Sequence, residues 1–421
     1  MRAENFRILG FGRVINRLAT LHRSMVYLTI VGMLTSSVFA ESPRIWKSPN
    51  GTFSVEAEFV GIKNDVVQLR RTDNNYTVSV PMRQLSAADQ EYLQQFTKVE
   101  RHTAEVQKPK ISAGHRAEWM EGQWGFRFNM PGMMQPEALA SFDVRAMMDQ
   151  IKVLDTAAWV QINLTQGANG SFYTSPHAEL AKHISPDIVP ERDLFGEMLD
   201  ALNRQGFKVM VYFASEGPAM GKHPDKALPG VIENWKEYAK SLKMTPEEAV
   251  AEIIVKEYSL RYGTKIAAWW FDHPSFGDIP MLEKAARAGN PNAALAFSVR
   301  EFSKLTSNDE SDFTGGHPTP MKKQKASTEE NEVAIEMIEE DNYIDGSLAH
   351  FFPPMQETWN SGEPVFETEQ AIDWTLRVVK AKGAITWAVA LADPKKKKAP
   401  LATFQFNQLK AINEAVRKSR E

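Results

Sequence analysis

Apolar and polar positions alternate through the segment 44–96. Phe53-Ser54-Val55-Glu56-Ala57-Glu58-Phe59-Val60-Gly61 sends successive side chains to opposite faces, as a half-buried strand does. The pattern returns in 65–70 after Lys63-Asn64-Asp65, and in 76–81 after Asp73-Asn74-Asn75. Residues 85–93 change to a helical pattern, with Ser86 as N-cap and Asp89 at the third helical position in a capping-box-like pair. Antiparallel strands closed by one helical turn predict a small barrel over 41–96. Residues 97–118 are polar and aperiodic, with Lys108-Pro109-Lys110 inside, and read as a linker.

From Trp124 onward the pattern changes. Strand-like runs at 124–129, 157–164, 208–215, 266–272, 293–299, 348–352 and 384–391 alternate with helical patterns at 143–154, 191–205, 246–262, 280–288, 367–382 and 403–418. A further strand, weakly marked, is expected near 311–314. Seven or eight βα units in succession predict an α/β fold, a (β/α)8 TIM-like barrel over 119–421, behind the small N-terminal SH3-like β-barrel. A doubly wound open sheet is the alternative. No GxGxxG or P-loop follows any strand, which counts against nucleotide binding. Lys322–Glu340, rich in Lys and Glu, reads as a mobile loop or an exposed helix, and Lys395-Lys396-Lys397-Lys398 as a solvated loop.

Composition narrows the chemistry. The net charge of −4 over 421 residues implies neither nucleic acid nor an anionic membrane as partner. Cysteine is absent, which excludes disulfides, thiolate zinc sites and a Cys nucleophile. Basic residues in 1–24 precede an apolar, small-residue-rich stretch at 25–40, with Val38 and Ala40 at small-x-small spacing. This predicts a signal peptide cleaved after Ala40 and a periplasmic or secreted bacterial protein, with Met25 as an alternative start. The apolar stretch is short for a transmembrane helix, so stable membrane insertion is not expected.

Candidate chemistry sits at strand ends, where barrels collect their reacting groups. Trp269-Trp270-Phe271-Asp272 closes a buried run, and a carboxylate there, beside aromatic rings, suits a sugar substrate. The bland alternative is a strand cap. Other strand ends carry Asn163, Gln166, Asn169 and Tyr173; Ser215 and Glu216; His273; Arg300 and Glu301; Glu310, Asp312 and His317; His350, Glu357 and Trp359; and Asp393. A retaining glycosidase needs two carboxyl groups, nucleophile and acid/base. Asp272 is the candidate nucleophile, and Glu216, Glu301 and Glu310 are the candidates for the second group. Gln166, Asn169, Tyr173, His177, Trp269, Trp270, His273 and Trp359 are candidate substrate contacts. The histidines lack metal-ligand spacing, so neither metal nor cofactor is expected.

Two resemblances add to this. Arg44-Ile45-Trp46, Gly51-Thr52-Phe53, Val66-Val67-Gln68-Leu69 and Leu85-Ser86 with Asp89-Gln90-Glu91-Tyr92-Leu93 resemble the Sla-type homology domain, which in eukaryotic adaptors binds short peptides. That implies a peptide or surface partner for 41–96, or a spacer. Leu164-Thr165, Asn169-Gly170-Ser171-Phe172, the stretch from Glu191 to Leu202 with Gln205–Tyr212, Tyr262-Gly263 and Trp269–Asp272 resemble the α-L-fucosidases of glycoside hydrolase family 29. The resemblance implies that Asp272 forms the glycosyl-enzyme intermediate. The family's usual His pair after strand two falls on Ala168 and Asn169 here, which removes a sugar-contacting donor.

The resulting expectation is an exported retaining glycoside hydrolase of α-L-fucosides or related deoxy-sugar glycans. A catalytically impaired glycan-binding barrel and a cell-surface scaffold are the alternatives.

Overall fold

A computed structural model describes residues 43–49, 54–63, 66–72, 77–93, 115–166, 172–219, 227–274, 279–298, 305–317, 328–393, 395–396 and 398–421. The expected signal peptide and nearly all of the expected linker lie outside them. The chain divides into two compact units, Met1–Lys108 and Pro109–Glu421.

In the first unit, strands Arg44–Lys47, Ser54–Lys63, Val66–Arg71 and Thr77–Pro81 form an antiparallel sheet in sequence order. The first of these was marked only by the Arg44-Ile45-Trp46 resemblance. Trp46, Val55, Ala57, Val67, Leu69, Leu85 and Leu93 make its core. Asp89, 3% exposed, ties the closing helix to the sheet. Its carboxylate accepts from Ser86 Oγ (2.7 Å), the Lys47 amide (2.9 Å) and the Arg44 guanidinium (2.8 Å). The Asp89 amide in turn donates to Ser86 Oγ, completing the expected cap.

The second unit is a barrel of parallel strands. Gln123–Phe128, Trp159–Asn163, Lys208–Ala214, Ala268–Asp272 and Ala294–Ser298 run side by side in that order. Ala384–Ala388 and then His350–Phe351 flank the other edge of Gln123–Phe128. The remaining gap is filled by 312–314: the Asp312 amide bonds Leu295 O, the Thr314 amide bonds Leu348 O, and Phe313 bridges Leu348 in parallel. This is the weakly marked sixth strand. It is too short to show a periodicity, and its ladder is supplied by its neighbours.

Strand alternation sorts the side chains. Trp124, Phe126, Phe128, Val209, Val211, Phe213, Trp269 and Phe271 face the helices, while Trp159, Met210, Ala268, Trp270, Ala294, Ala296, Phe313, Leu348 and Ala384 fill the lumen. The small alanines leave room for the large rings of Trp159 and Trp270, and Gly125 is where the Trp159 indole lies: a Cβ there would stand 2.5 Å from it.

Most helices fall where periodicity placed them, including Leu194–Gln205, Thr368–Lys380 and Thr403–Arg420. The run expected over 246–262 contains a π-helical stretch, Val250–Val255, whose Ile253 carbonyl pairs with His177 Nε2 at 3.0 Å. Helix Val231–Ser241 was not anticipated; it starts behind Gly230 with no side-chain cap. The Lys- and Glu-rich segment supplies a helix, Thr328–Glu340, held to Thr368–Lys380 by Arg377, which pairs with Glu332 and Glu339. Among the described residues no helix is long and apolar enough to cross a membrane.

Candidate active site

All barrel strands end on one face, and the ends of strands three and four are laced together there. The Ser215 amide donates to the Asp272 carbonyl (2.9 Å), and the Ala214 amide to Thr165 Oγ1 (2.8 Å). Beyond these bonds the chain turns sharply twice. Gly217 takes φ +63° and His273 takes φ +54°. The left-handed turn at His273, unusual for a bulky residue, folds its ring back between two carboxylates. Nε2 lies 3.2 Å from Asp272 Oδ1 and Nδ1 lies 2.5 Å from Glu216 Oε1. Asp272 and Glu216 are each 8% exposed.

Asp272 is also held from the lumen. Tyr212 stands two residues before the end of strand three with inward parity, and its hydroxyl donates to Asp272 Oδ2 at 2.7 Å. Above the Tyr212 ring sits the Arg127 guanidinium, 5.1 Å from the centroid, close enough for a cation–π contact. Arg127 is 4% exposed, forms no carboxylate ion pair among the described residues, and uses few of its donors. One goes to Asn129 Oδ1 at 2.6 Å and a long one to Trp359 O at 3.5 Å, while Nε has no partner among the described residues. Burial lowers its pKa; the neighbouring Tyr212 and Asp272 oppose that. Burial, then the neighbouring Asp272 charge, pushes the Tyr212 phenol well above its ordinary value, so it remains a donor.

Across the mouth stands an aromatic wall. Trp270 donates Nε1–H to Gly315 O (2.9 Å) and meets Phe352 edge-on. His317 lies 4.7 Å from Trp270 and 4.5 Å from Trp359, ring centre to ring centre. Its Nδ1 is 3.3 Å from Ser298 Oγ. Gly315 and Gly316 bring it there, because a Cβ on either would strike neighbouring backbone, at Ser298 Cα or His350 O. His317 and Trp359 are half-buried, whereas Trp270 is sealed.

The sequence candidates therefore separate. The structure brings Asp272, Glu216, His273, Trp270 and Trp359 to the barrel's mouth. Glu310 is a correction: it precedes strand six, whose Asp312 is level with Leu295 near the start of strand five, so it lies at the end opposite Asp272. Trp269 is another, since its parity turns it into the helix layer with Phe213 and Phe271. Tyr173 is sealed in that layer against Tyr258. His177, 2% exposed, caps helix Ala178–His183: Nδ1 accepts the Leu180 amide, so Nε2 carries the proton given to Ile253 O. Burial lowers its pKa. Asn169, Ala168, Arg300 and Glu301 lie outside the described residues, as does the side chain of Gln166. Arg127 and Tyr212 were missed; their one signal was a polar or amphipathic residue at inward parity near a strand end. No cluster of three potential metal ligands occurs among the described residues.

Comparison with known proteins places the chain in a family. Residues 38–101 match the model of SLA1 homology domain 1. The chain resembles the endo-fucoidan hydrolase MfFcnA4 of glycoside hydrolase family 107, with 25% identity and TM-score 0.65, over 75% of this chain and 55% of that one. MfFcnA9 of the same family aligns with 24% identity and TM-score 0.65 over 74% and 66% of the two chains. P5AFcnA aligns with 21% identity and TM-score 0.63 over 73% and 94%. The chain thus spans little more than half the length of the first of these relatives. No curated protein matches. The expected likeness to glycoside hydrolases of fucosylated glycans is found, but in these fucoidan hydrolases rather than in family 29, membership of which is not confirmed. The model described as endo-alpha(1,4)-fucoidanase Mef1 covers residues 114–301 and 295–418, most of the chain, and the protein belongs to that family.

Proposed function

We propose that the protein is an exported, retaining endo-hydrolase of fucose polymers, with Asp272 as nucleophile. The observation that carries this is the Asp272 carboxylate at the end of strand four, oriented by Tyr212 and His273 and facing an aromatic wall. An Asp272 oxygen forms a bond to the anomeric carbon. The bond from that carbon to the glycosidic oxygen breaks with its electron pair staying on oxygen, which takes a proton from the acid. Water then displaces Asp272 and returns the proton to the same group.

Two described titratable groups border the site as the acid. Glu216 is buried behind His273. His317 is half-buried among Trp270, Phe352 and Trp359, where a stacked sugar ring would meet it. Its greater access to substrate favours His317. The small N-terminal unit is proposed as an accessory attachment module.

The test is reducing-end release and chain shortening of fucoidan by residues 41–421, beside Asp272→Asn, Glu216→Gln and His317→Gln. Rapid shortening by the wild type and loss in Asp272→Asn is the expected result. Release of single fucose units without shortening would make it an exo-fucosidase. Full turnover in Asp272→Asn would remove the nucleophile from this reading. Product anomers read by NMR decide retention.

A further inference from the structure

We infer that Tyr212 and Arg127 are positioning residues that anchor Oδ2 of Asp272 and leave Oδ1 as the attacking oxygen. The inference rests on Asp272 being the nucleophile.

The two carboxylate oxygens have unlike partners. Oδ2 accepts a 2.7 Å bond from Tyr212, a side chain fixed in the strand wall, stacked 5.5 Å from Trp270. Among the described residues Oδ1 faces the imidazole of His273, at 3.2 Å, and that ring sits on a turn beyond the strand and is shared with Glu216. A ring on a turn can yield when a sugar arrives. A phenol built into the barrel wall cannot follow an attacking oxygen without disturbing the lumen. The oxygen that moves onto the anomeric carbon is thus Oδ1, and Tyr212 sets the angle at which it is presented.

Arg127 completes the device. Its cation rests on the Tyr212 ring and is directed by Asn129 and the Trp359 carbonyl rather than by a carboxylate. Among the described residues the charged and titratable groups around Asp272 are then Tyr212 from strand three, Arg127 from strand one, His273 beside it and Glu216 from the loop after strand three. Arg127 is the permanent cation of the set. Its charge holds the Tyr212 ring in place, and the Tyr212 bond holds the oxygen that does not react.

The experiment compares fucoidan depolymerisation by the full chain and by Tyr212→Phe, Arg127→Lys, Arg127→Met and Asp272→Asn, with kcat and KM separated and the melting temperature measured for each. Tyr212→Phe keeps the ring under Arg127 and removes only the donor. It is expected to lower kcat about 10- to 100-fold with KM changed less than about twofold. Arg127→Lys, which keeps the charge, is expected to retain several-fold more kcat than Arg127→Met. Should Arg127→Met fail to fold, the Tyr212→Phe result alone decides. Wild-type kcat in Tyr212→Phe beside a dead Asp272→Asn would overturn the anchor and leave the nucleophile standing. A fall in kcat that follows a fall in melting temperature, with KM rising in parallel, would mark Tyr212 as structural. Turnover retained in Asp272→Asn would instead overturn the nucleophile and the anchor with it.

Discussion

Gly217 faces Val250 so closely that a Cβ at 217 would lie 2.4 Å from Val250 Cγ2. Val250 opens the π-helical stretch, so that irregular turn is wedged directly beneath the residue after Glu216. The backbone at Gly217 is also left-handed, at φ +63°. Gly217→Ala meets both obstacles and is expected to cost about 1–3 kcal/mol. Because relief must come from moving the turn, Glu216 and His273 move with it. Denaturant midpoint and kcat should both drop; a variant with native activity and stability would show that the turn tolerates a side chain.

The aromatic wall divides into a structural and an accessible half. Trp270 is sealed, bonded to Gly315 O and in contact with Tyr212, His317 and Phe352. Trp270→Ala is expected to destabilise the barrel by about 3–5 kcal/mol. Trp359 is half-buried and lies at the mouth. Trp359→Ala is expected to leave the melting temperature within a few degrees and raise KM for fucoidan about 5- to 30-fold, the loss of one stacked ring. Kinetics and calorimetry on the pair check the division. An unchanged KM in Trp359→Ala would mean the sugar runs elsewhere.

In the N-terminal unit, one carboxylate does the work of a staple. Asp89 holds Ser86, the Lys47 amide and Arg44, whose guanidinium lies 3.8 Å from the Tyr92 ring centre. Asp89→Ala leaves the Ser86 cap on the residue 89 amide but takes the carboxylate from Ser86 Oγ, the part-buried Lys47 amide and Arg44. A loss of about 2–4 kcal/mol from this unit's stability is expected. Hydrogen exchange of strand Ser54–Lys63 against the barrel strands would localise it. Equal effects on both units would contradict the division into two compact units.

How much of this was written legibly in the chain depends on which physical signal a residue gives. Long apolar strands such as Ala268–Asp272 stand out, and their ends point to Asp272, Glu216 and His273 without any structure. Parity is harder: Trp269-Trp270 reads as one aromatic block, yet one ring faces helices and the other the lumen, and only the surrounding strands decide which. Tyr173 and His177 read as polar rings near a strand end, but their partners, Tyr258 and Ile253, arrive from the helix expected over 246–262, far along the sequence. Glu310 was misplaced because three residues of strand six leave no periodicity to say where the strand begins. Arg127 and Tyr212 were overlooked because each lies inside a strand, where function is seldom sought.

The barrel's acid tolerance should depend on His350, whose hydrogen bonds fix its state. Thr314 O can only accept, so His350 Nδ1 is the donor to it (3.0 Å). In the neutral ring Nε2 then accepts from the Thr386 hydroxyl (2.7 Å), whose oxygen also takes a bond from Trp159 Nε1 (2.9 Å). Fully buried, His350 has its pKa pushed down to about 3 by the loss of solvent. In the unfolded chain a histidine titrates near pH 6.5. Between about pH 6.5 and 3 the unfolded state therefore binds the extra proton, and stability falls as pH falls through that window, by at most about 1.4 kcal/mol per pH unit from this residue. Buried His177, its pKa also lowered, adds in the same direction. His350→Gln is expected to be less stable at neutral pH, having lost part of this bonding, but to lose less on acidification from pH 6 to 4. Unfolding free energies at several pH values test this, and parallel slopes for wild type and variant would show that His350 is not the group that titrates.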